Sequence, residues 1–135
     1  MQLTLNTDYS LRVLLYVAER PEELISTKDI SEYFKISQNH LVKVVNNLGK
    51  LKYLNLKRGR YGGGITLAKA PKDINIGHVV QAIEPLDIVE CFNNEKNNCV
   101  ISANCKLKGL LSKAKLSFLN ELKSQTLADM LSTQK

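Results

Sequence analysis

Three thiols carry the densest chemistry in the chain. Cys91, Cys99 and Cys105 are spaced C-x7-C-x5-C, and they are the only cysteines present. Thiolates favour zinc or iron–sulfur centres, and three of them leave one coordination position for another group. No C-x-x-C pair accompanies them, so the same residues also fit a plainer role as buried small hydrophobes. An odd number of cysteines confined to one stretch suits a metal or redox site in a reducing compartment better than a disulfide framework, and a cytoplasmic location is expected. Catalysis would require an activated cysteine beside a base. The two histidines, His40 and His78, lie far from the cysteines in sequence, and neither has a second histidine at metal-binding spacing. An enzyme is not expected.

The second concentration of chemistry is charge. Residues 34–72 contain no aspartate or glutamate but carry nine cations: Lys35, Lys43, Lys50, Lys52, Lys57, Arg58, Arg60, Lys69 and Lys72. The formal charge of +6 is uneven, with eleven basic against six acidic residues in positions 1–70 and eight against seven thereafter. A basic face concentrates polyanions, which points to nucleic acid or an anionic membrane surface. The apolar run 11–18 is interrupted by Arg12 and is too short to span a bilayer, and no signal peptide is visible at the start, so no membrane partner is expected.

Helical elements must position both features. Residues 7–20 place Leu11, Leu14, Leu15 and Ala18 on one face, with Asn6 or Thr7 as N-cap and Asp8 in the first turn, where a carboxylate complements the helix dipole. Ser26 or Thr27 caps a second helix carrying Ile30, Tyr33 and Phe34, and a short link 35–37 leads to a third. There Leu41, Val44, Val45 and Leu48 follow i, i+3, i+4, i+7 and face a core, leaving Gln38, Asn39, Lys43, Asn46, Asn47 and Lys50 outside. Amides suit adenine edges and lysines suit guanine or phosphate, although a merely solvated polar face has the same composition. Strands are expected at 53–57 and 65–67, joined by a glycine-rich basic loop 58–64. Helix-turn-helix followed by a basic hairpin is a winged helix. The loop lacks G-x-x-x-x-G-K-[ST] spacing and opens no helix, which argues against a nucleotide site.

Beyond the hairpin, Ile76, Val79, Val80 and Ile83 mark a helix over 74–84, ended by Pro85. The asparagine-rich segment from Phe92 to Cys99 reads as an exposed irregular loop. Leu107, Leu110, Leu111, Ala114, Phe118, Leu119 and Leu122 then form the stripe of a long amphipathic helix, and residues 126–129 form a capping-box variant opening a short terminal one. A stripe of that length needs a partner. A second copy of the chain is the simplest, because two recognition helices one duplex turn apart match a palindromic site. The division expected is 1–84 for DNA binding and 85–135 for the cysteine loop and dimerisation helix.

Taken in order, these features resemble the NsrR-type nitric-oxide-sensing repressors, relatives of the IscR iron–sulfur regulators. The pieces carrying the resemblance are Leu3-Thr4 with Thr7-Asp8-Tyr9-Ser10-Leu11-Arg12, Arg58-Gly59 through Gly63-Gly64, Asn75-Ile76-Gly77, and Val89-Glu90-Cys91-Phe92 with Cys99 and Cys105. The resemblance implies a mainly α (α+β) winged helix-turn-helix fold with a long C-terminal dimerisation helix. It implies an iron–sulfur cluster, 4Fe–4S or alternatively 2Fe–2S, held by Cys91, Cys99 and Cys105, with Asp8 of the other subunit as fourth ligand. Arg12, one turn on, would orient or neutralise that carboxylate. The first cysteine gap is longer than in many members of the family, and the wing carries one extra residue near Tyr61.

The function these readings imply is a homodimeric repressor that binds double-stranded operator DNA and releases it in response to nitric oxide. Gln38, Asn39, His40, Lys43, Asn47 and Lys50 are the expected contacts from the third helix, and Arg58, Arg60 and Tyr61 those from the wing. The alternative is a regulator of the same fold controlled by iron–sulfur status, zinc or thiol oxidation.

Overall fold

A computed structural model of the chain describes residues 2–59, 63–88, 92 and 105–131. Helix α1 (Leu5–Ala18) starts two residues earlier than its apolar spacing indicates. Thr4, not Asn6 or Thr7, is its N-cap, and Thr7 is fully buried. The cause is Glu84, 80 positions away, whose carboxylate accepts hydrogen bonds from the Thr4 N–H (3.1 Å), the Thr4 hydroxyl (2.8 Å) and the Thr7 hydroxyl.

Helix α2 (Thr27–Phe34) opens with a full capping box: Ser26 Oγ accepts from the Asp29 N–H, and the Asp29 carboxylate accepts from the Ser26 N–H. It ends at Lys35, which sits in the left-handed region (φ 58°, ψ 46°) and turns the chain into α3 (Gln38–Lys50). That turn is tied by the Ser31 hydroxyl donating to the Ile36 carbonyl at 2.6 Å. Leu41, Val44, Val45 and Leu48 are buried, as their period requires, and each contributes about 1.5–3 kcal/mol relative to exposure.

Strands β1 (Leu54–Lys57) and β2 (Gly64–Leu67) pair antiparallel in the register Leu54↔Leu67 through Lys57↔Gly64. The Ile65 N–H donates to the Ile25 carbonyl at 2.8 Å and so ties the hairpin to the segment ahead of α2. This holds the wing beside α3. A 3-10 turn at Pro71–Asp73 leads to α4 (Ile76–Ile83), capped by Asn75.

Helix α5 (Lys106–Lys123) begins at Cys105 and docks at its far end. The Asn75 side-chain amide donates to the Lys123 carbonyl, the Ile76 N–H to the Gln125 carbonyl, and the Leu127 N–H to the Ile74 carbonyl. Gly77 makes this crossing possible, because a Cβ there would lie 2.6 Å from the Lys123 nitrogen and 2.9 Å from its Cα. Leu119 and Leu127 are buried, whereas Leu107, Leu110 and Leu116 stay more than half exposed. Thr126 and Asp129 form the expected capping pair, but only a 3-10 turn, Ala128–Met130, follows. Among the described residues, no helix is long and apolar enough to cross a membrane.

Candidate nucleic-acid interface and cysteine site

Helix α3 presents one continuous outward face. Burial of the Leu41–Val44–Val45–Leu48 stripe rotates Gln38, Asn39, Val42, Lys43, Asn46 and Lys50 into solvent. His40 and Asn47 are only half-exposed. His40 packs edge-on against Tyr9 of α1, with ring centroids 4.8 Å apart, and its N–H donates to Ser37 Oγ, the N-cap of α3. The centre of the face is thus Asn39, Val42, Lys43 and Asn46, with His40 and Asn47 at its flanks. Period-based reading finds Asn46 but passes over Val42, because a valine beside a core stripe counts as core until the helix is oriented.

An open cleft of about 560 Å³ separates this face from the wing. Val45 and Asn46 of α3 line one side, and Leu56, Lys57, Arg58 and Gly63 line the other. A Cβ on Gly63 would collide with the Gly59 carbonyl oxygen, so the two ends of the wing loop approach closely only because Gly63 has no side chain. Arg58 is exposed at the rim of the cleft. Arg60 and Tyr61 lie outside the described residues. The surface therefore combines hydrogen-bonding amides on a protruding helix with cations beside it, an arrangement able to read base edges while gripping phosphates.

Of the three thiols, Cys105 is described and Cys91 and Cys99 lie outside the described residues. Cys105 is half-buried and caps α5, its Sγ accepting from the Lys108 N–H at 3.4 Å. The thiol stands at a helix N-terminus, with Lys106 and Lys108 following it. Asp8 lies in the first turn of α1 and forms a two-point ion pair with Arg12, Oδ1 to Nε at 2.9 Å and Oδ2 to an Nη at 3.1 Å. Both side chains are about 40% exposed, so solvent screens the pair. The Arg12 guanidinium also lies 5.6 Å from the Tyr9 ring centroid and 5.8 Å from that of Phe34. Arg12 thus holds the Asp8 carboxylate at the helix start; Cys105 and Asp8 are sulfur and oxygen donors of the kinds that metal centres use, and among the described residues no group of three or more His, Cys, Asp or Glu side chains is placed to hold a metal ion.

Sequence reasoning missed Glu84. Burial pushes its carboxyl pKa up, but the hydrogen bonds from the Thr7 side chain and from the side chain and N–H of Thr4 outweigh burial and hold the pKa below its ordinary value. The site fastens the N-terminus of α1, and with it the turn carrying Asp8, to the end of α4. No local pattern could have disclosed a contact between positions so far apart.

Residues 3–133 match the Rrf2 family model, described as an iron-dependent transcriptional regulator. The chain is 49% identical to the HTH-type transcriptional regulator NsrR of Halalkalibacterium halodurans, covering 99% of this chain and 92% of that one. It is 53% identical to the regulator of the same name from Bacillus subtilis strain 168, over 97% of this chain and 90% of that one. Among solved structures, T. potens IscR superposes with a TM-score of 0.75 at 24% identity, covering 96% of this chain and 85% of that one. CymR, the global cysteine regulator of B. subtilis, superposes with a TM-score of 0.72 at 19% identity, over 100% of this chain and 99% of that one. These two likenesses establish the winged-helix fold.

Proposed function

The chain belongs to the Rrf2 family of iron-dependent transcriptional regulators, and from that premise we propose that it is a homodimeric repressor whose grip on operator DNA is set by an iron–sulfur cluster and released by nitric oxide. It is a transcriptional regulator, the role that its relatives' names and its family's description give, and not an enzyme. The observation that carries the DNA reading is the α3 face, which is polar and basic, free of acidic side chains, and set beside a basic wing.

Each residue has a part in this reading. Gln38, Asn39, Lys43 and Lys50 meet base edges or phosphates in the major groove, His40 and Asn47 bound that contact, and Arg58, Arg60 and Tyr61 anchor the wing. Cys91, Cys99 and Cys105 would hold the cluster, 4Fe–4S in preference to 2Fe–2S, with Asp8 of the other subunit as a hard oxygen ligand that yields more readily than a thiolate. When bound, the cluster supplies iron able to take up nitric oxide. Arg12 keeps the Asp8 carboxylate oriented, and the Glu84 clamp keeps that turn of α1 against the domain. The exposed Leu107 and Leu110, one turn apart, give the start of α5 an apolar edge for a second copy of the chain. Whatever binds at Asp8 and the thiols biases DNA affinity to the extent that it favours one arrangement of the two DNA-reading domains.

Metal and sulfide analysis of anaerobically purified protein, with its visible spectrum, tests this. Iron and acid-labile sulfide with broad visible absorbance that changes on nitric oxide are the expected result. Stoichiometric zinc would favour the alternative regulator. A colourless protein that binds its operator equally with and without iron would sink the reading.

A further inference from the structure

We propose that Val42 is a specificity-determining residue that recognises the 5-methyl group of a thymine in the operator. The inference rests on the DNA-reading assignment of α3 and adds to it a base and an atom. Val42 is 40% exposed at the middle of a helix whose other apolar residues nearby, Leu41, Val44 and Val45, are all buried. It belongs to neither the core nor the ring of side chains packed against it. On the helix surface its neighbours one turn away are Gln38 and Asn39 on one side and Asn46 on the other, all exposed.

An isolated exposed apolar residue is ordinary on a protein surface. The position of this one is not ordinary, because it lies on the outward face of α3 that the wing flanks. A β-branched residue is also a poorer helix former there than alanine or lysine, so helix stability does not favour it. The chemistry around it is complementary to one base pair. In the major groove an A·T pair offers an adenine edge that an asparagine or glutamine can engage at two points, and on the opposite strand a methyl group that only an apolar contact can use. A face of amides surrounding a valine matches both halves of that pair. A face of arginines or lysines would match guanine instead.

Selection from random duplexes with the full-length protein, kept anaerobic, yields the preferred half-site. Each thymine is then replaced singly by deoxyuridine, which lacks only the 5-methyl group, in both half-sites together. Affinities are read by fluorescence anisotropy at fixed salt. The wild type should lose about fourfold in affinity per half-site at one thymine, the effect of one buried methyl. Val42→Ala, which favours the helix and should leave the urea midpoint no lower, should bind the thymine duplex about as weakly as wild type binds the deoxyuridine one and should no longer distinguish the two. Arg58→Ala should weaken both duplexes and keep the thymine preference. The proposal is overturned if no thymine is methyl-sensitive, or if Val42→Ala keeps the wild-type preference at every position. A selection that returns no sequence preference overturns the DNA-reading assignment itself, whereas a clear half-site with an unaltered methyl effect overturns only the role of Val42.

Discussion

Replacing Thr7 by valine isolates the Glu84 clamp with almost no change of shape. Thr7 is fully buried, its hydroxyl donates to the Glu84 carboxylate, and valine substitutes a methyl for that hydroxyl. A hydrogen bond to a charged acceptor is worth about 1.5–3 kcal/mol net, so the variant should lose about 2 kcal/mol at neutral pH. The pH dependence separates this from a simple packing defect. Glu84 has a folded-state pKa below its ordinary value of 4.5. Its contribution is therefore fully present above that ordinary value and is lost as pH falls through the lowered folded one. Removing the Thr7 donor raises the folded pKa towards the ordinary value. The gap between wild type and variant should thus shrink as the carboxyl becomes protonated in both, to about the 1 kcal/mol of a neutral hydrogen bond. Urea unfolding of metal-free protein at fixed concentration, from about pH 7 down to about pH 3, measures this gap. A difference that is constant across the range, or below about 0.5 kcal/mol at neutral pH, would refute the assignment of Glu84 as an ionised clamp.

Two further substitutions test the wing and the helix crossing. Arg58→Ala should weaken binding to all DNA sequences alike and lower the slope of log K against log salt by about 0.9, the signature of one lost phosphate contact; an unchanged slope means the wing does not clamp phosphate. Gly77→Ala sets a helix-propensity gain of about 1 kcal/mol against a collision with the Lys123 backbone, and overpacking of 1–3 kcal/mol should win. A urea midpoint equal to or above wild type would mean that α5 can shift away from α4 at little cost.

The elements that the sequence discloses are those whose determinants lie within one turn. The period of Leu41, Val44, Val45 and Leu48 orients α3, and the Ser26–Asp29 box opens α2 where a capping residue precedes an apolar pattern. Helix α1 begins at Leu5 because Thr4 and Thr7 are both engaged by Glu84, and a partner 80 residues away leaves no local trace. The same limit applies at Gly77, whose reason is the Lys123 backbone. Within the candidate site, the i, i+4 spacing of Asp8 and Arg12 made their ion pair foreseeable, yet a role for Asp8 in ligation comes from family resemblance alone. Val42 escaped for the opposite reason: its neighbours are local, but only the orientation of the whole face distinguishes an exposed valine from a core one.

One titration addresses the coupling of the thiol site to the DNA-reading face. Anaerobic protein bound to fluorescent operator duplex is titrated with nitric oxide while visible absorbance and anisotropy are read in the same cuvette. The cluster absorbance should change and the duplex should be released over the same range of nitric oxide. Anisotropy that stays at its bound value while the absorbance changes to completion would contradict it.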